Sequence, residues 1–459
     1  SAVSVFAEEE TAEAAGDEDV VYVDPLEAED GLPFAATELS KGKTIGVSVQ
    51  THANAFFLAE IDGVKATLEK GGIDAEVIAP DPANDINTQV EDITQMVARG
   101  VDVIFVDALD KDGIKPALQE AERASIPVIA IDSNVEDKDL IAEEGHVLLD
   151  TAQKNQVDFL FEAAVAGGIP IIRPLKQCLA ANDISEIVGI VNGTTNYILT
   201  KMTEEGMDFA DALKKAQELG FAEADPTADV EGLDAGRKVA ILASAAFNSR
   251  VTFDDVYTEG ITKITATDIE YANEMGCVIK LLGVARNTPE GIEARVHPML
   301  IDVNHPLASV NDAYNAVFVQ GDAVQDAMFY GRGAGELPTA SAVVGDVFDI
   351  VRNILHDCCG RIGCTCYKNL PIKHMNEISS KFFIRMFVED RPGVLANIAS
   401  VFGNSGVSLA QVIQRRKKDQ YAEIVVITDE VKEKNLKDAL AVAKGMSTVK
   451  EISGMIRVA

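Results

Sequence analysis

Nine consecutive residues, Val239 to Phe247 (VAILASAAF), are small or apolar and can only be accommodated inside the protein. The 23 residues before them are the opposite. AQELGFAEADPTADVEGLDAGRK, Ala216 to Lys238, carries Glu223, Asp225, Asp229, Glu231, Asp234 and Lys238. A helix that starts in the polar part and continues into the apolar part places Asp234 and Lys238, four apart, on one face. A lysine where a polar loop enters a buried helix is partly desolvated, which suits it to exchange a proton near neutrality. Carboxylates beside it can hold it charged, or hold a substrate ammonium or hydroxyl. Taken alone, an Asp–Lys pair at this spacing is most often a solvated surface pair.

The rest of the span bears on that choice. Ala216, Gly220, Phe221, Ala222, Asp225, Pro226, Asp229, Val230, Gly232, Asp234 and Lys238 fall at the positions of the homoserine dehydrogenase signature. The resemblance extends from about Leu140 to the C-terminus. It implies hydride transfer between NAD or NADP and C4 of L-aspartate 4-semialdehyde or L-homoserine, in threonine and methionine biosynthesis. Lys238 would be the proton donor and charge stabiliser. Asp234 would orient it, and Glu223 and Asp229 would bind substrate polar groups.

Three further stretches take on roles by the same resemblance. In IVGIVNGTTNYILTKM a strand runs into a turn that opens a helix, and Gly193 and Thr194 would lie by the substrate. In GRGAGELPTASAVVGDVFDIV the glycines Gly333 and Gly335 would lie by the cofactor. In FLFEAAVAGGIPII, Glu162 with the backbone oxygens of Val165, Gly167 and Ile169 would hold a monovalent cation, sodium or potassium, to which oxygen ligands are suited. A further cofactor residue would be Lys138 in VEDKDLIA, although Asp137 stands where the family has asparagine.

A chain of 459 residues has room for about three domains. A net charge of −34 argues against nucleic acid or an anionic membrane as partner. No apolar run reaches the ~18 residues of a membrane span. Four of the six cysteines crowd with His356 into HDCCGRIGCTC. The spacing matches no common zinc pattern, which favours reduced thiols in a connector over a metal site.

Residues 1–40 hold twelve Asp or Glu and no Lys or Arg, the composition of a disordered, solvated tail. Its start, SAVSVFA, resembles the end of a secretory signal; a frayed terminus is the other reading. From Lys41 strands and helices alternate. KTIGVSVQ, DAEVIAP, VDVIFVDA and IPVIAID read as strands, with helices over Phe57 to Lys70, Asn87 to Arg99 and Gly113 to Ala124. That order predicts a parallel sheet with right-handed crossovers. A dinucleotide site needs glycines in the first strand–helix turn. The turn here, QTHANAFF, has none, so this unit is predicted to bind dinucleotide poorly.

VSVQTHANAFF, GVDVIFVDALD and IPVIAIDSN resemble the N-terminal lobe of periplasmic ribose- and galactose-type sugar-binding proteins. The resemblance implies that Asn54, Phe56, Phe57 and Asp132 line one wall of a sugar cleft, with Ser133 where that family often has arginine. It also suggests an exported origin for this part and a cytoplasmic one for the rest. The two resemblances meet at Leu140-Ile141-Ala142, as in a fusion.

Toward the C-terminus, FFIRMFVED, RPGVLANIASVFGNSG, VSLAQVIQ, YAEIVVITD, Val431 to Lys444 and VKEISGMIRV read strand, helix, strand, strand, helix, strand. This βαββαβ order is ferredoxin-like. VEDRPGVLANIA resembles ACT regulatory domains, which implies an amino-acid effector such as threonine near Asp390 and Gly393; a purely dimerising role is equally open.

The expected architecture is α/β and α+β. An acidic tail (1–40) precedes a parallel βα lobe (41–138), a mixed α/β catalytic and dimerisation domain (139–378) and an ACT domain (379–459). The function expected is that of an NAD(P)-dependent homoserine dehydrogenase acting as a homodimer. The alternative is a sugar-binding module joined to an inactive dehydrogenase remnant.

Overall fold

The computed structural model describes residues 42–53, 55–70, 75–110, 113–124, 126, 128–130, 148–154, 157–223, 225–356, 358–418 and 420–459. The acidic tail, Asn54, Asp132, Ser133, Asp137, Lys138 and the junction at Leu140 lie outside the described residues, as does the side chain of Phe56.

The N-terminal lobe alternates as its sequence predicts. Strands β1 (Lys43–Ser48), β2 (Ala75–Ile78), β3 (Val103–Val106) and β4 (Val128–Ala130) are separated by helices α1 (Ala55–Lys70), α2 (Ile86–Arg99) and α3 (Lys115–Arg123). The four strands are parallel, in the order β2-β1-β3-β4. Helix α2 shows why the boundaries are legible. Asp85 caps its start by accepting from Asn87 N, and Gly100 ends it at φ 71°, a conformation that glycine adopts freely.

Two apolar clusters cover the sheet. Ile93, Met96, Ile104, Ile114, Ala117 and Ala121 pack on one face. On the other, Ile45, Val47, Val49, Ile61, Val64 and Phe105 pack together with Val343, which belongs to the catalytic part of the chain. Half-buried Phe57 joins this second cluster. Of the two rings expected to face a sugar, Phe57 thus contributes to the packing of the lobe.

The larger sheet has eleven strands. Its catalytic part comprises β5 (Ile184–Ile190), β6 (Tyr257–Thr258), β7 (Cys277–Thr288), β8 (Gly291–Asp302), β9 (Tyr314–Gly321) and β10 (Gln325–Arg332). The path runs β10-β9-β5-β7-β8, with β6 alongside β8. Helices α4 (Gly193–Glu204), α5 (Phe209–Glu218), α6 (Leu233–Phe247) and α7 (Ala266–Glu274) lie between these strands in sequence. Val239, Ala240, Leu242, Ala243 and Phe247 of α6 are buried in the main core with Val317 and Val319 of β9. Fully burying an aliphatic side chain contributes about 1.5–3 kcal/mol, and this long shared face fixes α6 against the sheet. Helix α8 (Glu336–Leu355) follows and carries Val343 to the lobe.

The C-terminal unit is β11 (Ser379–Glu389), α9 (Val394–Asn404), β12 (Leu409–Lys418), β13 (Tyr421–Thr428), the short β14 (Val431–Lys432), α10 (Glu433–Lys444) and β15 (Val449–Val458). Its strand order, β15-β11-β13-β12, is ferredoxin-like. This sheet is continuous with the catalytic one, because Arg457 and Val458 pair in parallel with Met299 and Leu300 of β8. Pro298 immediately precedes that pairing in β8, and proline has no N–H to give to a ladder. No helix among the described residues is long and apolar enough to cross a membrane.

Candidate active site

Asp234 and Lys238 lie on the first turns of α6, and neither is on open surface: their side chains are 13% and 14% exposed. Lys238 Nζ donates to Asp234 Oδ2 at 2.8 Å and to the backbone oxygen of Val191 at 3.0 Å. The oxygen belongs to the residue that follows β5, so the lysine ties the helix to the strand end. Asn192 comes next. Its Nδ2 donates to Asp229 Oδ1 at 2.6 Å and to Asp234 Oδ2 at 2.9 Å. Its Oδ1 accepts from Thr195 N and Thr195 Oγ1, both at 2.9 Å, which caps α4. One amide therefore starts a helix and holds two carboxylates. Burial raises the pKa of Asp229, and the neighbouring Asp234 adds to the rise; the hydrogen bond from Asn192 and the charge of Lys238 oppose it.

Gly193 and Thr194 open α4 beside this cluster. Helix starts leave their first amides without internal partners and attract anions. Thr194 Oγ1 donates to the Phe221 oxygen at 2.6 Å, which brings the 221–223 loop to the same edge. Glu223 is exposed on that loop, its backbone oxygen accepting from Gln217 Nε2 at 2.9 Å. Lys238, Asp234, Asp229, Gly193 and Thr194 are thus gathered, with Glu223 at the rim. Sequence reasoning missed Asn192 as their common holder and missed the Val191 oxygen. A polar residue directly before the glycine turn was the available signal.

The glycine loop after β10 closes on the same region. A Cβ on Gly333 would fall 1.9 Å from Asn315 Nδ2, and one on Gly167 would fall 2.5 Å from the Gly333 oxygen. Only glycine permits this contact between the loop, β9 and the 165–169 corner. Gly335, at φ 117°, begins α8.

The corner itself places Ala166 and Gly167 at φ 60° and 52°. The Glu162 carboxylate is turned away from it. Oε1 accepts from Ile171 N at 2.5 Å and Ile172 N at 2.8 Å, and Oε2 from Arg173 N at 2.8 Å. Among the described residues, the backbone oxygens of Val165, Gly167 and Ile169 accept no hydrogen bond. Asp346 accepts from Glu162 N at 2.9 Å and pairs with Arg173 at 2.7 Å, and burial pushes its pKa up to about 6.

In the lobe, the order β2-β1-β3-β4 places the crevice for a ligand beyond β1 and β3. Gln50 Nε2 donates to Asp107 Oδ1 at 3.2 Å there. The Asp81 carboxylate accepts from His52 N and Ala83 N, both at 2.9 Å, and those bonds lower its pKa. A carboxylate thus holds an amide of the first turn, where a pyrophosphate would need it. With no glycine in this turn and its His52 amide already engaged, the described residues of the lobe fit a pyrophosphate poorly.

None of the six cysteines is in a disulfide, and no three metal-ligating side chains come together among the described residues. Burial, with the nearby Cys364, pushes the Cys366 thiol up to about 12. At the ACT turn, Asp390 pairs with Lys417 at 2.5 Å, and Gly393 at φ 89° opens α9 with free space around it.

Three family models match in succession: "Periplasmic binding protein domain" over residues 45–172, "Homoserine dehydrogenase" over 170–348 and "ACT domain" over 382–445. The chain is 49% identical over 326 residues to a homoserine dehydrogenase of Corynebacterium glutamicum, covering 70% of this chain and 73% of that protein. It is 43% identical over 406 residues to one from Mycobacterium tuberculosis, covering 86% and 90%. A solved homoserine dehydrogenase from Thiobacillus denitrificans superposes with a TM-score of 0.79 at 33% identity, over 94% of this chain and 99% of that one. At 94% of the chain, that superposition takes in the N-terminal lobe as well. With this extent of likeness around the Asp234–Lys238 cluster, the chain belongs to the homoserine dehydrogenase family.

Proposed function

We propose that the chain catalyses the NAD(P)-dependent interconversion of L-homoserine and L-aspartate 4-semialdehyde. The observation that carries this reading is the cluster of Lys238, Asp234, Asp229 and Asn192 at the start of α4 and α6. The nicotinamide, when bound, supplies or accepts the hydride at C4. The remaining work falls to side chains of the chain. Lys238 Nζ delivers a proton to the aldehyde oxygen as charge develops there, and takes it back in the oxidation of homoserine. Asp234 aims the ammonium. Asp229 and Glu223 receive the substrate's own ammonium, and the positive start of α4 at Gly193 and Thr194 attracts its carboxylate. Gly333 and Gly335 border the nicotinamide, and Lys138 is assigned to the same cofactor end.

The same reading keeps a monovalent cation at the backbone oxygens of Val165, Gly167 and Ile169 but without the expected Glu162 carboxylate, which is taken by the amides of Ile171, Ile172 and Arg173. It divides the chain at about residues 139 and 379, locates it in the cytoplasm and makes it a homodimer. Support for the dimer comes from the sheet edge β10, where Met328 and Tyr330 are exposed; a monomeric mass by light scattering would refute it. Threonine is the effector proposed for the Asp390–Gly393 turn, and an unchanged melting temperature in excess threonine would leave that turn structural. With Phe57 packed into the lobe core and the family shown, the sugar-binding alternative is not favoured.

The test is nicotinamide absorbance with L-homoserine and NADP. Homoserine-dependent reduction is expected, half-saturating only well above micromolar NADP because of Asp81. No reduction at millimolar NADP would refute the activity, and half-saturation in the micromolar range would refute the account of the lobe.

A further inference from the structure

Asn315 is 1% exposed, yet both polar atoms of its amide are buried without a hydrogen-bond partner among the described residues. Its place is well defined. The β9 ladder pairs Asn315 with Gly331 on one side, and on the other pairs Ala316 with Ile190, so Asn315 stands level with Val191. Val191 is the residue whose oxygen holds Lys238. The next side chains on the same face of β9, Val317 and Val319, belong to the apolar core. Asn315 ends that face at the two glycine turns. A Cβ on Gly333 would fall 1.9 Å from its Nδ2, and a Cβ on Gly193 would fall 3.6 Å from its Oδ1.

For packing alone, a strand position in line with two valines calls for an aliphatic side chain. A buried amide with neither donor nor acceptor satisfied is destabilising. It is therefore suited to a state other than the free one. Both polar atoms lie against Gly333, at 1.9 and 2.6 Å from a Cβ placed there, and Oδ1 also lies near Gly193, so a small closing of the turns would satisfy both.

We propose that Asn315 is a positioning residue that locks the substrate turn to the cofactor loop. When substrate and nicotinamide seat between them, Oδ1 accepts a backbone N–H of the Gly193–Thr194 turn. Nδ2 donates to a backbone carbonyl of the Gly333–Gly335 loop. The proposal rests on the homoserine dehydrogenase reading of this site.

Asn315→Leu keeps the volume and removes both polar atoms. Melting temperature is measured free and with L-homoserine plus NADPH, two reduced partners that cannot react together, and kcat/KM for homoserine is measured with NADP. The free variant should melt at the wild-type temperature or above, because an unsatisfied amide has been replaced. The added stabilisation by the ligand pair should shrink, and kcat/KM should fall about tenfold or more. A free variant that melts several degrees lower, or does not fold, would show the amide paired in the resting protein and overturn the proposal. Wild-type kcat/KM and ligand shift in the variant would overturn it alone. Wild type with neither turnover nor ligand shift would remove the dehydrogenase reading, and this proposal with it.

Discussion

Asp229 and Asp234 show how one residue governs others at a distance in sequence. Both carboxylates share the two hydrogens of Asn192 Nδ2, and only Asp234 reaches Lys238. Asp229 is left with the burial cost and with the repulsion of its neighbour, which together raise its pKa. A carboxylate must be charged to hold a substrate ammonium. As pH falls through this raised value, kcat/KM should fall, earlier than an ordinary aspartate would dictate. Asp229→Asn should lower kcat/KM at neutral pH and remove that acid limb; an unchanged limb in the pH–rate profile would assign it elsewhere. The Asp234–Lys238 pair was legible in the sequence because helical spacing alone sets it. Asn192 was legible only as a cap, since its bonds to Asp229 and Asp234 span 37 and 42 residues. Asn315 was not legible at all, because its significance lies in what it fails to contact.

At the level of elements, α8 joins the two halves of the chain. Its Val343 packs into the lobe core, and its Asp346 meets Arg173 and the backbone of Glu162 at the glycine corner. Burial raises the pKa of Asp346 from 3.8 to about 6, against the bonds from Glu162 and Arg173 that lower it. The sign of the linkage follows. Between about pH 4 and pH 6 the folded protein binds the proton that the unfolded chain has released. The stability contributed is full below that window and is lost as pH rises through it. Asp346→Asn does not titrate, so its melting temperature should gain on the wild type from pH 4 to pH 7. A difference that stays flat would show that the carboxyl is charged throughout. Strand and helix alternation in the lobe was readable because caps such as Asp85 and Gly100 are local. The seating of the lobe on α8 was not, because Val343 reads simply as one more apolar residue of a helix.

For the whole molecule, the N-terminal lobe carries a parallel sheet of the expected kind, but in its first turn the His52 amide is already taken by Asp81. At the other end, the ACT-type sheet continues the catalytic sheet through β15 and β8. The βαββαβ order was evident in the sequence; the shared sheet was not, since two paired residues at the end of a strand leave no periodic trace. Between these ends, Lys238 is the residue proposed to carry the proton. The direct measurement is kcat for homoserine oxidation at the highest attainable NADP, for wild type and Lys238→Ala, with melting temperatures alongside. General acid–base catalysis of this kind contributes roughly 100- to 10,000-fold. Turnover in Lys238→Ala should fall by that order while the melting temperature stays near that of the wild type. Wild-type turnover matched by Lys238→Ala would contradict the account.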